Sequence, residues 1–352
     1  MAETALRCNI PATVEVISPL HVGSGSGRLL ADYDFALERG TVWVIDQAKL
    51  LERFTDEELR HGTPEVRLSR RLRPGEHEAC AAYSLPAGSG VGSEILPCIK
   101  DVEGRPYLPG SSLKGALRTV AAWHAAGEMG VPRGDELGPN PKYAASRWEK
   151  RVFGRDPNHD LMRALLVDDS APVPLDRLEL AQVSVYSLRG PELARKGQNF
   201  LFSVEALRPG TQLACRVGIA EGLLSEPSLR FGERRGWIEG LCQMGRERAA
   251  KAIAAEKLFY RECRQIPLIQ FYERLERLAS DLAENQFPLQ MAWGSGWAAK
   301  TLGSPLSEGA MMEEVRGRYR LGRPGAPFPK SRRLIERGGA PSEPPGWVKV
   351  TL

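Results

Sequence analysis

Leu108-Pro109-Gly110-Ser111-Ser112-Leu113-Lys114-Gly115-Ala116-Leu117-Arg118 is the stretch on which the reading of this chain turns. A proline–glycine turn runs into an amphipathic segment. Leu113, Ala116, Leu117, Val120 and Ala121 recur at i, i+3, i+4, i+7 and i+8, one face of a helix expected over about 111–126. Ser111 or Ser112 is placed to cap its start. The free N–H groups of a helix start favour an anion. Lys114 and Arg118 stand four residues apart on one face, and Gly115 between them admits another backbone. Gly110, Ser111, Ser112, Lys114 and Arg118 together fit a clamp for phosphate groups. The pattern is not a P-loop, which puts lysine after its second glycine. The alternative, on the residues alone, is a capped helix with a solvated basic face.

On the N-terminal side, residues 9–22 alternate as a strand, with Ala12, Val14, Val16 and Ser18 on one face. The strand runs through His21 into the loop Gly23-Ser24-Gly25-Ser26-Gly27. Residues 29–37 and 41–45 read as a hairpin turning at Glu38-Arg39-Gly40. A short helix is expected over 50–60. Periodicity is then lost in Arg, Pro, Gly and Ser, so about 50–94 reads as a lid-type insertion.

On the C-terminal side a basic helical stretch is expected over 141–153. Strands follow at 165–167, 178–186, 199–206 and 212–219, helices at 236–258 and 268–284, and strands at 288–293 and 315–321. This order predicts α+β layers rather than a doubly wound parallel sheet. The expected division is a first domain over 1–187 and a second α+β region over 188–352, with a helical segment at about 236–284 and a C-terminal glycine-rich loop.

The 352 residues are 42% hydrophobic and 26% charged, values of a globular chain with a sizeable core. The net charge of +4 is too weak to identify a nucleic-acid partner, so its distribution matters more. Six scattered cysteines without a CxxC pair suit reduced thiols in a cytoplasmic protein. The first twenty residues do not read as a signal peptide, and no apolar run is long enough to span a membrane.

The helix motif resembles the central motif of the RAMP superfamily, the RNA-binding proteins of CRISPR effector complexes. Other segments match in order. Ser18-Pro19-Leu20-His21-Val22-Gly23-Ser24-Gly25 resembles the family's first strand and glycine loop. Asp32-Tyr33-Asp34-Phe35 with Val42-Trp43-Val44-Ile45-Asp46 resembles its second hairpin. Val152-Phe153-Gly154 with Leu165-Leu166-Val167-Asp168 resembles its FG turn and following strand. Trp293-Gly294-Ser295-Gly296-Trp297 resembles its C-terminal glycine loop, although the family often has more glycines there. Pro329-Lys330-Ser331-Arg332-Arg333-Leu334 and Gly346-Trp347-Val348-Lys349 narrow the resemblance to the fifth-subunit family of the type III-A (Csm) complex. Between about 190 and 285 the likeness is thin.

The resemblance implies a ferredoxin-like (RRM-like) RAMP core, with the second half a candidate degenerate second RRM-like domain. It implies a non-catalytic, antiviral-defence subunit that caps the 3′ end of the CRISPR RNA and supports its maturation and complex assembly. The implied partners are CRISPR RNA, target RNA and other Csm subunits, especially the terminal backbone RAMP subunit and the small subunit. It carries RNA contact over to Gly110, Ser111, Ser112, Lys114 and Arg118, with close backbone approach at Gly23, Gly25, Gly294 and Gly296. No cofactor or metal is implied.

Charge placement adds candidates. Arg67, Arg70, Arg71 and Arg73 crowd the insertion. Arg316, Arg318 and Arg320 alternate, so on a strand they would share one side and form a phosphate track, extended by Lys330, Arg332 and Arg333. The competing class is an endoribonuclease of the same superfamily acting on guide precursor or target RNA, with His21 as acid/base and Asp34 as its carboxylate. A third is a scaffold, motivated by seven tryptophans. His77 and Cys80 have HxxC spacing, but no second pair completes a zinc site.

Overall fold

Alternation sets the first strand. In β1 (Arg7–Val16) Ala12, Val14 and Val16 are buried while Thr13 and Glu15 are half-buried, so one face belongs to the core. The structure, a computed structural model, describes residues 7–25, 27–55, 57, 72–73, 75–88, 90–307, 311–323 and 325–352. The expected arginine cluster at Arg67, Arg70 and Arg71 lies outside the described residues.

β2 (Leu29–Leu30), β3 (Phe35–Glu38), β4 (Thr41–Ile45), β5 (Ala81–Pro86) and β6 (Glu94–Leu96) precede the first long helix. The hairpin turns where expected. Arg39 (φ 48°) and Gly40 (φ 77°) are both left-handed, as a two-residue turn between twisted strands requires. β5 pairs with β4, so part of the segment expected to be structureless completes a three-stranded sheet, β3-β4-β5.

The helix motif forms α1 (Gly110–Met129). Leu113, Leu117, Val120 and Ala121 are buried. Each of the larger three contributes about 1.5–3 kcal/mol by leaving water. α2 (Ser146–Phe153) follows, then β7 (Leu165–Val167), β8 (Leu178–Arg189), β9 (Glu192–Arg195), β10 (Leu201–Leu207) and β11 (Gln212–Ile219). α3 (Leu241–Glu262) and α4 (Ile266–Ser280) pack on each other. The C-terminal elements are β12 (Gln286–Gln290), α5 (Met311–Tyr319), β13 (Ser331–Arg337), β14 (Ala340–Glu343) and β15 (Trp347–Thr351).

The first sheet runs β12-β15-β1-β11-β7, antiparallel throughout. Val14 pairs with Leu213 on one side and Val350 on the other, so this sheet takes strands from both sides of residue 187. Its buried face packs against α1 and the start of α3 in one hydrophobic core. α3 comes so close that a Cβ on Gly245 would sit 2.3 Å from the Phe287 ring. The second sheet runs β14-β13-β8-β10-β6-β2, with β9 also on β8 and β10–β6 its parallel pair. The chain is thus α+β with several sheets.

One element is corrected. Residues 315–321, expected as a strand, begin inside α5. Met312, Val315 and Tyr319 are its buried residues, at i, i+3 and i+7. The arginines between them imitate strand alternation, but the period that governs burial is helical.

Candidate nucleic-acid interface

β1 and β12 flank β15 antiparallel, so both end at the same rim of the first sheet. Their following loops are stitched together there. The Trp293 N–H donates to the His21 carbonyl at 3.2 Å, and the Gly346 N–H to the Pro19 carbonyl at 3.0 Å. The Trp293 indole meets the His21 ring edge-on at 5.5 Å and Phe202 at the same distance. Gly294 (φ 86°) and Gly296 (φ 87°) hold left-handed backbone. A Cβ on Gly294 would fall 2.8 Å from Pro345, whereas Gly25 and Gly296 face open space. Gly23 bridges to Cys98. The Trp293–His21 bond thus brings the loop of Gly23 and Gly25 beside that of Gly294 and Gly296, with Gly23 and Gly25 exposed and Gly294 buried. Exposed Arg333 lies over the Trp293 ring at 5.2 Å and forms no ion pair among the described residues. This rim offers cation, aromatic face and accessible backbone together, the parts that suit a ribose-phosphate chain.

The start of α1 lies elsewhere, beside the edge strand β7. A Cβ on Gly110 would fall 2.3 Å from the Val167 carbonyl oxygen and 2.7 Å from the Asp168 carbonyl carbon. Gly110 is required by that backbone approach. Its N–H donates to Asp169 Oδ1 at 2.7 Å, and neither Ser111 nor Ser112 caps the helix. The anion favoured at this helix start is thus supplied from within.

Arg118 differs from the expectation. Its Nη1 donates to both Asp160 oxygens at 2.9 and 2.8 Å, its Nη2 to Glu149 at 3.3 Å, and its guanidinium covers the Phe153 ring at 3.9 Å. It is an internal brace. Lys114 is half-buried and has no carboxylate within ion-pair distance among the described residues. Burial lowers its pKa, Asp160 opposes that, and the neighbouring Arg118 adds to it.

The proposed arginine track does not form. Arg316 sends its Nη2 to the Arg323 and Ala326 carbonyls at 2.6 and 2.8 Å, and Arg318 its Nη1 to the Gly134 carbonyl at 3.0 Å. Arg320 sits at the left-handed residue (φ 53°) after α5. Lys330 is exposed, while Arg332 is held by Glu256 at 2.7 and 2.8 Å. Of the C-terminal arginines named, Arg333 is the one at the glycine loop.

His21 is buried, its Nδ1 at 2.7 Å from the Glu205 carbonyl. Burial pushes its pKa down, against the opposing pull of Glu205. The Asp34 carboxylate accepts the Leu30 N–H at 2.8 Å and closes a turn. Sequence reading missed Glu205. It is fully buried, accepts the Cys98 N–H at 2.8 Å, and also bonds Tyr83 and Lys100. Burial, then Glu205, pushes the Cys98 thiol up to about 12. The available signal was a glutamate at the centre of an apolar strand. Among the described residues no group of three or more His, Cys, Asp or Glu could hold a metal ion, and no helix is long and apolar enough to cross a membrane.

The sequence model of the RAMP superfamily matches residues 13–253. This chain belongs to the RAMP superfamily. The match covers both the glycine loop after β1 and the α1 motif but ends before the Trp293 loop. Relatives extend it. This RAMP chain is 24% identical over 317 residues to the CRISPR system Cms protein Csm5 of Streptococcus thermophilus, covering 81% of this chain and 78% of that one. It is 31% identical over 155 residues to the Csm5 of Mycobacterium tuberculosis H37Rv, 40% of each chain. Among solved structures it is similar to a chain of the cryo-EM Csm-crRNA-target RNA ternary complex of a type III-A CRISPR-Cas system. There the TM-score is 0.69 and the identity 25%, over 96% of this chain and 99% of that one. The crystal structure of T. onnurineus Csm5 shares the fold, with a TM-score of 0.65 at 23% identity over 97% of this chain and 100% of that one.

Proposed function

We propose that this RAMP chain is a guide-RNA-binding subunit of a type III-A CRISPR (Csm) effector complex. It holds the CRISPR RNA at its 3′ end, supports maturation and assembly, and does no chemistry of its own. The observation that carries this reading is the rim where the loops after β1 and β12 are bonded together under Trp293 and Arg333. The likeness to Csm5 over most of the chain, and to a chain from a complex with crRNA and target RNA, supports it. Its neighbours are then other Csm subunits, with the terminal backbone RAMP subunit and the small subunit foremost, and its setting is cytoplasmic.

The fold reading follows the strand order. β15-β1-β11-β7, with α1 between β1 and β7 and α3–α4 between β11 and the last strands, has the order of a ferredoxin-like βαββαβ unit. We read that RRM-like core as threaded through both halves of the chain. The segment at about 50–94, which contributes β5 to the small sheet, is then the lid-type insertion on it.

The surroundings of His21 and Asp34 favour the non-catalytic reading over the nuclease alternative. His21 is buried against the Glu205 carbonyl, and Asp34 holds a turn. The test is to purify the protein with its complex from the host and sequence the RNA that travels with it. CRISPR-repeat-derived guides, left uncut by the isolated subunit, are expected. Recovery of no RNA, or of unrelated RNA, refutes the proposal.

A further inference from the structure

A groove of about 470 Å³ opens between α3 and the chain after β12. Arg248 lines it from α3 and is 8% exposed. Its Nη2 donates to the Ala298 and Ala299 carbonyls at 3.0 and 2.8 Å, near the end of the helical turn Gly296–Lys300. Its Nε is buried with no hydrogen-bond partner, and no carboxylate pairs with it among the described residues. Burial alone lowers its pKa to about 10. Arginine is almost never fully buried unless paired, because desolvating the charge is costly. Arg332, in the same groove, follows that rule through Glu256. Arg248 does not.

We propose that this groove is a phosphate subsite for single-stranded RNA, in which the Arg248 guanidinium pairs with a phosphate and the nucleotide rests against Trp297 and Phe328. The inference rests on the RNA-binding reading above and deepens it. Trp297 and Phe328 line the groove, with ring centroids 5.2 Å apart. The groove is contiguous with the rim, since Gly294, Gly296 and Arg333 line it as well. Its size suits a nucleotide, because small-ligand sites span roughly 300–1,000 Å³. Its charge also suits an anion. With Glu256 taken by Arg332, the lining cations Arg248, Lys251 and Arg333 face the single carboxylate of Glu262. With Nη2 held by the two carbonyls, the remaining N–H groups of the charged guanidinium are the donors left for a phosphate. The phosphate is either internal to the chain or a terminal monoester.

The test is fluorescence anisotropy of the full-length protein with a labelled twelve-nucleotide RNA, ending in 3′-hydroxyl or in 3′-phosphate. Arg248→Gln is expected to weaken binding about tenfold or more, with the salt slope flatter by about 0.7, one single-strand phosphate contact. The melting temperature should hold or rise, because an uncompensated buried charge has been removed. Equal loss for both oligonucleotides assigns an internal phosphodiester. Loss confined to the 3′-phosphate assigns a terminal one. Should Arg248→Gln not fold, Arg248→Lys is read by affinity alone, with about threefold loss expected and the salt slope kept because the charge remains; unchanged affinity in that variant overturns the subsite. Wild-type binding with an unchanged variant overturns the subsite and leaves the RNA-binding reading intact. Absence of RNA binding by the wild type overturns both. Unchanged RNA affinity with loss of a neighbouring subunit from the purified complex overturns it in favour of a protein occupant.

Discussion

Arg118→Ala and Lys114→Ala should part ways, although both cations sit on one face of α1. Arg118 bonds Asp160 twice and Glu149 once, with its side chain 29% exposed and those of its partners 23% and 46% exposed. Hydrogen bonds to charged groups contribute about 1.5–3 kcal/mol when shielded, and exposed ion pairs about 0–1 kcal/mol. The partial exposure here places the loss near 2 kcal/mol. Removing the cation from the Phe153 face adds about 0.5–1 kcal/mol. The variant is therefore expected to lose about 2–3 kcal/mol. With an unfolding entropy of about 2.1 cal/mol/K per residue, that lowers the melting temperature by about 3–4 °C. Lys114 has no ion pair among the described residues, so Lys114→Ala should stay within about 0.5 kcal/mol of wild type. RNA titrations across a salt series give the complementary readout. Lys114→Ala should flatten the slope by about 0.7, and Arg118→Ala should leave it unchanged. The assignment of Arg118 as a brace is refuted if its variant melts like wild type and flattens the slope.

Other outcomes follow from the same geometry. Gly110→Ala drives a Cβ into the β7 backbone and should destabilise by about 3 kcal/mol in urea denaturation, whether or not RNA is present. Burial holds the His21 pKa below its ordinary 6.5, so the unfolded chain takes up a proton that the fold refuses. Stability should therefore decline as pH falls below about 6.5 toward the depressed pKa, and His21→Gln should flatten that decline in pH-dependent melting. Arg332→Ala leaves Glu256 shielded and unpaired and should cost about 3 kcal/mol with the RNA salt slope unchanged. Arg333→Ala should do the reverse, with little change in melting and weaker RNA binding.

Much of the fold was legible because burial follows local period. The stripe of Leu113, Leu117, Val120 and Ala121 gives α1, and the alternation of Ala12, Val14 and Val16 gives β1. The same rule misled where side chains imitate the wrong period, as in α5, whose arginines alternate while Met312, Val315 and Tyr319 turn inward helically. The glycine loops were legible as turns, and the Trp293–His21 bond brings them side by side, but the burial of Gly294 against Pro345 was not legible. The state of Arg118 was not, because Asp160 and Glu149 lie 42 and 31 residues along the chain and only the fold brings them near. Gly110 looked like part of an anion clamp, yet its missing side chain serves contact with β7. Glu205 and Arg248 were passed over for one reason. A charged residue inside an apolar strand or helix reads as a solvated face until burial is known.

The most direct test of the RNA interface is photo-crosslinking of the assembled complex carrying 4-thiouridine-labelled guide RNA, with the crosslinked peptides identified by mass spectrometry. Crosslinks are expected in residues 19–25 and 293–297 and at the Arg333 strand, depleted when Arg333 is replaced by alanine. Crosslinks confined to the start of α1, or absent from both glycine loops, would refute this interface.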